Sequence, residues 1–436
     1  MKNWTGEAEL GHPWWWEAAP PSGDSDDISD SCDILVIGAG YTGLSAAIAA
    51  HDAGAQVLVL EAGVPGQGAS TRNGGMFGAH PRLGWDDLAG RFGAETADAV
   101  FAEANPAMNW VRALIEAEGI DCDFQQTGRI QLAWTPEHAN NQKRLAKSVE
   151  EKSDVAVKIL DRDAVKQEIS TDRYHGGMLF PEHGAIHPAK FHKGLLEAVR
   201  RRGIPVVAHA AVSGLERIAG RCRVQSAKGT VDAEKVILAT NGYTTKPFNW
   251  FISRVFPLPS FMIATEELPS NLIGHIAPGR RMMVETRARH SYYRISPDGK
   301  RVLFGGRASM WDTRLERGAE RLRQTMCGIW PELNDVKISH AWYGFTGFSF
   351  NHMPQVGERD GIFYAMGFSG SGTVMAPYLG AKAAYQAMGD PRGETAYANT
   401  LFKKHFLHQF EKPHFLRAAD VYYRHWVDRV ENWQAR

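Results

Sequence analysis

The 436-residue sequence contains only four cysteines, at positions 32, 122, 222 and 327, and no two of them have the spacing of a metal-binding or redox pair. Zinc sites, iron–sulfur clusters and redox dithiols are thereby excluded, no metal is expected, and a reducing compartment, the cytoplasm, fits best. An excess of charge is also lacking. Lys plus Arg and Asp plus Glu both number 49, so no long-range field of one sign recruits nucleic acid or an anionic membrane. No run of about 18 apolar residues is found, which rules out a helix that spans a bilayer. The N-terminal residues have neither the basic start nor the apolar stretch of a secretory signal. There is no internal repeat, and the oligomeric state is not legible.

What the sequence does contain is a repeated switch between two kinds of pattern. Residues 1–31 read as an extended arm, because Pro20, Pro21 and the Ser/Asp/Gly run after them break any helical or strand period. Trp14, Trp15 and Trp16 are expected to pack on the protein's own surface and tether that arm. At 33–37 a buried parallel strand begins and runs through glycines into a small-residue helix at 44–53. A second strand at 56–60 ends on Glu61. Further apolar strands at 236–239 and 362–366 also end in Gly- or Asn-rich turns. Between them lie alternating runs at 129–134, 260–264 and 291–295, the last joined to 301–305 through the hairpin signal Pro297, Asp298, Gly299. An antiparallel sheet interrupting a parallel one predicts a substrate domain inserted into a cofactor domain.

The first strand leads into Gly38, Ala39, Gly40, Tyr41, Thr42, Gly43. In a dinucleotide site the first glycine makes the tight turn, the second lets the backbone approach a pyrophosphate, and the third lets helix pack on strand. The free N–H groups of the helix start then bind the anion. Glu61, followed by Ala62, stands at a strand end 18 residues beyond Gly43, where a carboxylate accepts hydrogen bonds from ribose hydroxyls. The same carboxylate would repel the 2′-phosphate of NADP.

The next block, Gly68, Ala69, Ser70, Thr71, Arg72, Asn73, Gly74, Gly75 and then Met76, resembles the second FAD-contacting segment of the D-amino-acid oxidase superfamily. The likeness continues in the family's order through Gly184 to Pro188, Ala211 and Val212, Thr240, Asn241 and Gly242, Trp342 to Gly344, and Met353 to Gly357. It ends in Gly367, Phe368, Ser369, Gly370, Ser371, Gly372 and Thr373, which open a helix. Within the superfamily the chain is most similar to the γ-glutamylputrescine oxidase group, over about residues 30 to 390. Ser371 stands where many relatives carry His, and Asn351 where many carry an acid. No histidine or cysteine matches a covalent attachment point, so FAD is expected to be non-covalent.

The resemblance implies an α/β protein with a Rossmann-like FAD-binding domain of the GR2/DAO type and an inserted antiparallel-sheet substrate domain. The expected partition is 1–31 as arm; 32–95, 185–245 and 340–390 as the FAD domain; 96–184 and 246–339 as the substrate domain; and 391–436 as a C-terminal helical segment. The implied reaction passes hydride from the C–N bond of an amine or amino acid, such as a γ-glutamylputrescine-type amine, to flavin N5. The resulting imine is hydrolysed to an aldehyde or keto product, and O2 reoxidises the flavin to give H2O2. A dehydrogenase delivering electrons to a quinone or partner protein stays open, as does a non-catalytic flavin-binding protein. Pocket candidates are Tyr292, Tyr293, Trp342, Tyr343 and Phe345, an aromatic set suited to an amine. His80 lies just beyond the Gly-rich loop, and Arg294 is a candidate for a substrate carboxylate or a structural ion pair.

Overall fold

The computed structural model describes residues 8–311, 313–408 and 411–435; the start of the expected arm and three positions of the expected C-terminal segment lie outside them. Two sheets organise the chain, and the sequence pattern explains which residues enter each. Five strands run parallel in the order Ile362–Met366, Gly229–Leu238, Ser31–Ile37, Val57–Leu60, Val206–Val207. Ile34 to Ile37 and Val57 to Leu60 are all buried, because the central strands of a parallel sheet are covered on both faces and therefore read as unbroken apolar runs. Helices Tyr41–Asp52 and Gly372–Met388 cross on one face. Their approach is so close that a Cβ on Gly380 would lie 2.3 Å from the Thr42 carbonyl oxygen, and Ser45 Oγ donates to the Pro377 carbonyl at 2.7 Å.

The second sheet has nine strands. Its spine is the antiparallel pair Val255–Thr265 and Ile338–Ser349, in register from Val255 opposite Ser349 to Ala264 opposite His340. Pro257 and Pro259 fall where Val255–Thr265 has a neighbour on one side only, since Val302–Gly306 pairs with it from Phe261 onward; a missing N–H is tolerated there. The expected hairpin is present. Ser291–Ile295 and Val302–Gly306 pair antiparallel, and the turn between them places Gly299 at φ +77°. Helix Leu315–Ile329 and Trp330 cover the outer face of this sheet. Both sheets bear out the expected α/β architecture. Strand Ile338–Ser349 runs across the expected boundary at 340 and belongs wholly to the nine-stranded sheet.

The arm is more structured than its composition implied. Glu9–Leu10 adds a parallel edge strand beside His340 and Ala341, and Trp14–Glu17 forms a single 3-10 turn. Trp15 is fully buried and its Nε1 donates to the Asn73 carbonyl at 2.9 Å. Trp16 Nε1 donates to Thr71 Oγ1 at 2.9 Å. The tryptophans thus pack on their own chain, against the Gly-rich loop. At the other end a continuous helical run spans Phe415–Tyr422, a π-turn Tyr423–Val427 and Asp428–Gln434.

Candidate cofactor and substrate site

Four parallel strands end at one edge of their sheet, and every glycine motif of the cofactor reading sits on that edge. Strand Ser31–Ile37 delivers Gly38 to Gly43, Val57–Leu60 delivers Glu61, Gly229–Leu238 delivers Thr240 to Gly242, and Ile362–Met366 delivers Gly367 to Thr373. Crevices beyond the carboxyl ends of parallel strands are where such folds bind ligands. Gly38 has φ +107°, and a Cβ there would lie 3.1 Å from the Ala239 carbonyl oxygen; at Gly43 it would lie 1.8 Å from the Gly38 carbonyl oxygen. Only glycine allows this turn to close against its own helix. His192, whose pKa burial lowers to about 4, sits with Nε2 2.8 Å from the Ala39 carbonyl and fixes the turn from behind.

Glu61 is held rather than free. Ala39 N–H donates to Oε2 at 2.8 Å and Gly63 N–H to Oε1 at 3.0 Å, which leaves lone pairs on the same carboxylate for ribose hydroxyls. The chain that turns past it, His209 and Ala210, bonds to the Gly63 and Glu61 carbonyls and leads into Val212 at the start of strand Val212–Ile218.

The Gly68–Met76 loop closes over the helix start. Ser70 Oγ accepts from Tyr41 N–H at 3.0 Å, and a Cβ on Gly40 would meet that oxygen at 2.9 Å. Asn73 braces the loop from inside: Nδ2 donates to the Ala69 and Ser70 carbonyls, and Oδ1 accepts from Gly75 N–H. Arg72 bonds to the backbone of three separate segments. Its Nε donates to the Gln67 carbonyl, its Nη1 to the Gly11 and Tyr343 carbonyls, and its guanidinium lies 4.5 Å from the Trp16 ring centroid. It therefore ties loop, arm and sheet together.

Asn241 links two of the strand ends, because its Oδ1 accepts from Gly367 N–H at 2.9 Å. Gly242 abuts the Gly347 backbone nitrogen, with 3.0 Å left for a Cβ. Ser371 is the N-cap of helix Gly372–Met388, and its side chain makes no capping bond. Gly372 lies eight residues before the Gly380–Thr42 crossing, so the two helix starts stand about 12 Å apart along that axis. One presents N–H groups beside Glu61, and the other presents them beside the second sheet. Turns closed to side chains, two helix N-termini and a strand-tip carboxylate fit an FAD, and the residues that would hold it are those of the four strand ends and the Gly68–Met76 loop.

Beyond Gly370 lies a cluster of cationic side chains. Arg82 Nη1 donates to the Ser369 carbonyl at 3.0 Å, and the Arg82 and Arg307 guanidinium carbons lie 5.4 and 4.9 Å from the centroid of the Phe348 ring. Arg82 is exposed, and burial of its guanidinium lowers its pKa from the usual arginine value. Burial lowers Arg307 to about 9, which leaves it charged at neutral pH. His290 and His352 are pushed down by burial first and then by these two arginines, His352 to about 4, so both are neutral. Farther in, burial lowers Arg129 to about 9, and its guanidinium lies 2.9 Å from His80 Nε2. Among the described residues no carboxylate lies within 4.0 Å of Arg82, Arg129 or Arg307.

The pocket candidates divide by strand alternation. Tyr292 faces the Gly-rich loop: its ring fills the slot left by Gly74 and Gly305, and its hydroxyl lies 2.9 Å from Ser260 Oγ. Trp342 is on the same side but fully buried, donating to the Arg72 carbonyl at 3.0 Å. Tyr293 points the other way, stacked on Phe304 at 5.1 Å and bonded to Tyr174 Oη at 2.6 Å, so it is a core residue and not a pocket residue. Tyr343 also lies on that far side, packed on Phe261. His80 packs on Phe180 and Arg129. Arg294 is buried and donates from Nε to the Ile295 carbonyl and from Nη1 to the Ile186 carbonyl. Asn351 folds its own loop, accepting from Met353 N–H and donating to the Leu401 carbonyl. Arg82 and Arg307 were missed in the sequence because neither lies in a motif; a cluster of arginines with no carboxylate partner among the described residues becomes visible only in three dimensions.

The model of a family described as FAD dependent oxidoreductase matches residues 33–386. γ-Glutamylputrescine oxidoreductase of Escherichia coli (strain K12) is 32% identical over 385 residues, covering 86% of this chain and 88% of that protein. A probable oxidoreductase OrdL of Rhizobium meliloti (strain 1021) is 30% identical over 382 residues, with the same coverages. The crystal structure of glycine oxidase from Geobacillus kaustophilus superimposes with a TM-score of 0.72 at 19% identity, covering 87% of this chain and 99% of its own.

Proposed function

The chain belongs to the FAD dependent oxidoreductase family, with FAD as its cofactor, and from that premise we propose that it oxidises the C–N bond of an amine or amino acid carrying a carboxylate. The observation that carries this reading is the pair of guanidinium groups, Arg82 and Arg307, that both lie close to the Phe348 ring and have no carboxylate partner among the described residues. Two neighbouring like charges repel, among the described residues neither has a carboxylate partner, and an anionic ligand would supply one. A γ-glutamylated amine carries such a carboxylate, and so does an amino acid, in keeping with the named activities of the relatives.

Bound FAD supplies a two-electron acceptor for the hydride. The chain's residues do the rest. Arg82 and Arg307 anchor the carboxylate, and their positive charge favours the neutral form of the substrate amine, the form that can give up hydride. Tyr292 and Phe348 orient the carbon skeleton. The start of helix Gly372–Met388, with its unpaired N–H groups, stabilises negative charge developing beside it. No acid–base pair is needed, in keeping with His290 and His352 being neutral. In this reading 32–95, 185–245 and the part of 340–390 beyond Ser349 hold FAD, while 96–184 and 246–339 shape the substrate side.

Electrons then leave to O2, giving H2O2. A dehydrogenase that delivers them to a quinone or a partner protein is the second reading, and the aromatic helix described below favours it. The experiment is anaerobic mixing of the holoprotein with γ-glutamylated amines, amino acids and the corresponding free amines, followed by admission of air. Bleaching of the flavin by the carboxylate-bearing compounds and peroxide on reoxidation are expected. A flavin that stays oxidised with all of them would refute amine oxidation and leave a non-catalytic role. Bleaching without peroxide would transfer the chain to the dehydrogenase reading.

A further inference from the structure

The helical run from Phe415 to Gln434 is about 30 Å long and has two apolar faces, of which only one is covered. Its inner face carries Leu416, Ala419 and Tyr423, packed with Phe256, Leu258, Met310 and Phe348. Its acids also turn inward. Asp420 accepts from Met310 N–H at 2.7 Å, Asp428 pairs with Arg289 at 2.7 Å, and Glu431 accepts from Ala288 N–H at 3.0 Å. The outer face carries Val421, Tyr422, Trp426 and Trp433, exposed by 60%, 56%, 64% and 73%. Exposed aromatics in such a row are unusual on a water-facing helix, whose outer side is ordinarily polar.

The exposed charges on that side are predominantly of one sign. Arg417 and Arg429 are exposed on the helix, and Lys403, Lys404 and Lys412 on the segment leading into it, against one exposed acid there, Glu411. The neutral net charge of the whole chain hides this local asymmetry, which acts within a screening length of about 8–10 Å. We propose that this face docks on an anionic lipid bilayer, with the tryptophans and Tyr422 in the interface and the basic side chains among the headgroups. Indole and phenol rings prefer that depth, and Lys and Arg beside them pair with lipid phosphates. No helix among the described residues is long and apolar enough to cross a membrane, so the protein lies on the surface. A second copy suits the face less well, because a two-fold contact sets the arginines of one copy against those of the other. The helix packs against Phe348, beside Arg82 and Arg307. Docking therefore brings the catalytic side of the molecule to the bilayer, where a lipid-soluble electron acceptor resides.

The test is flotation of the holoprotein with vesicles of phosphatidylcholine alone and of phosphatidylcholine and phosphatidylglycerol in equal parts, at low and high salt. Binding to the anionic vesicles only, weakened by salt, is expected. The exposed double variant Trp426→Ser/Trp433→Ser should bind at least about tenfold more weakly while keeping its flavin and its turnover with a soluble dye. Arg429→Glu, which removes no packing, should weaken binding and flatten its salt dependence. Absence of flotation, or equal flotation of the double variant and the parent, would overturn the proposal. So would a concentration-dependent dimer in sedimentation that the double variant abolishes, since that result assigns the face to a second copy.

Discussion

Gly43→Ala is the substitution whose consequence can be worked most directly from the geometry. The added Cβ would lie 1.8 Å from the Gly38 carbonyl oxygen and 3.1 Å from Val36 Cγ1. Nonbonded contacts of this kind are not tolerated much below 3 Å, so helix Tyr41–Asp52 must move from the turn by about 1 Å or the turn must deform. The helix is pinned on its far side by the Gly380–Thr42 approach and the Ser45–Pro377 bond, and the displacement falls on the helix start. An N–H bond to phosphate lengthened by that amount from about 2.9 Å passes the usual limit, and each charge-assisted bond is worth about 1.5–3 kcal/mol. Losing one such bond predicts FAD binding weaker by about 10- to 150-fold, with overpacking costing a further ~1–3 kcal/mol of apoprotein stability. Titration of apoprotein with FAD, read by quenching of flavin fluorescence, measures the first effect, and urea unfolding the second. Gly90→Ala is the control, since a Cβ there meets nothing within 4 Å in helix Trp85–Phe92; it should leave FAD affinity unchanged and stabilise slightly. Normal affinity and stability in Gly43→Ala would refute the assignment of this turn to the pyrophosphate.

Glu61→Gln retains the shape but loses the charge that two backbone N–H groups and the ribose would use, so FAD affinity should fall by about tenfold in the same titration. Trp15→Ala empties a fully buried site and strands the Asn73 carbonyl; urea unfolding should show a loss of about 3–5 kcal/mol. Acid should destabilise the fold through His187 and His192, both lowered by burial to about 4. Between the unfolded value of about 6.5 and that folded value the unfolded chain binds more protons, so stability is full above pH 6.5 and falls as the pH drops to 4, by about 3 kcal/mol per histidine at the limit. Urea midpoints at stepped pH check this, and a His192→Asn variant should show a shallower slope; midpoints that stay flat from pH 7 to 5 would contradict it.

Much of the fold was legible because its determinants are local. The run from Ile34 to Ile37, the three glycines after it and Glu61 at the next strand tip are consecutive in the chain, and each has one physical meaning in a parallel sheet. The hairpin at Pro297 to Gly299 was legible for the same reason. Facing was not. Tyr292 and Tyr293 are adjacent and chemically alike, and which one faces the Gly-rich loop depends on pairing register with Gly305 and Phe304 across the sheet, a long-range property. The role of Arg72 was hidden similarly, since its carbonyl partners at Gly11 and Tyr343 come from the arm and from a distant strand. Arg82 and Arg307 are 225 positions apart in the sequence, so their meeting over Phe348 had no linear signal.

The most direct test of the account compares one amine in two forms, its carboxylate and the matching carboxamide, by the anaerobic rate of flavin reduction in the parent protein and in Arg307→Met. The parent should discriminate by about 100-fold or more in favour of the carboxylate, as expected for a desolvated charge pair. Arg307→Met should lose most of that preference while keeping FAD bound. Equal rates for the two forms in the parent, or an undiminished preference in the variant, would contradict the claim that these arginines select the substrate.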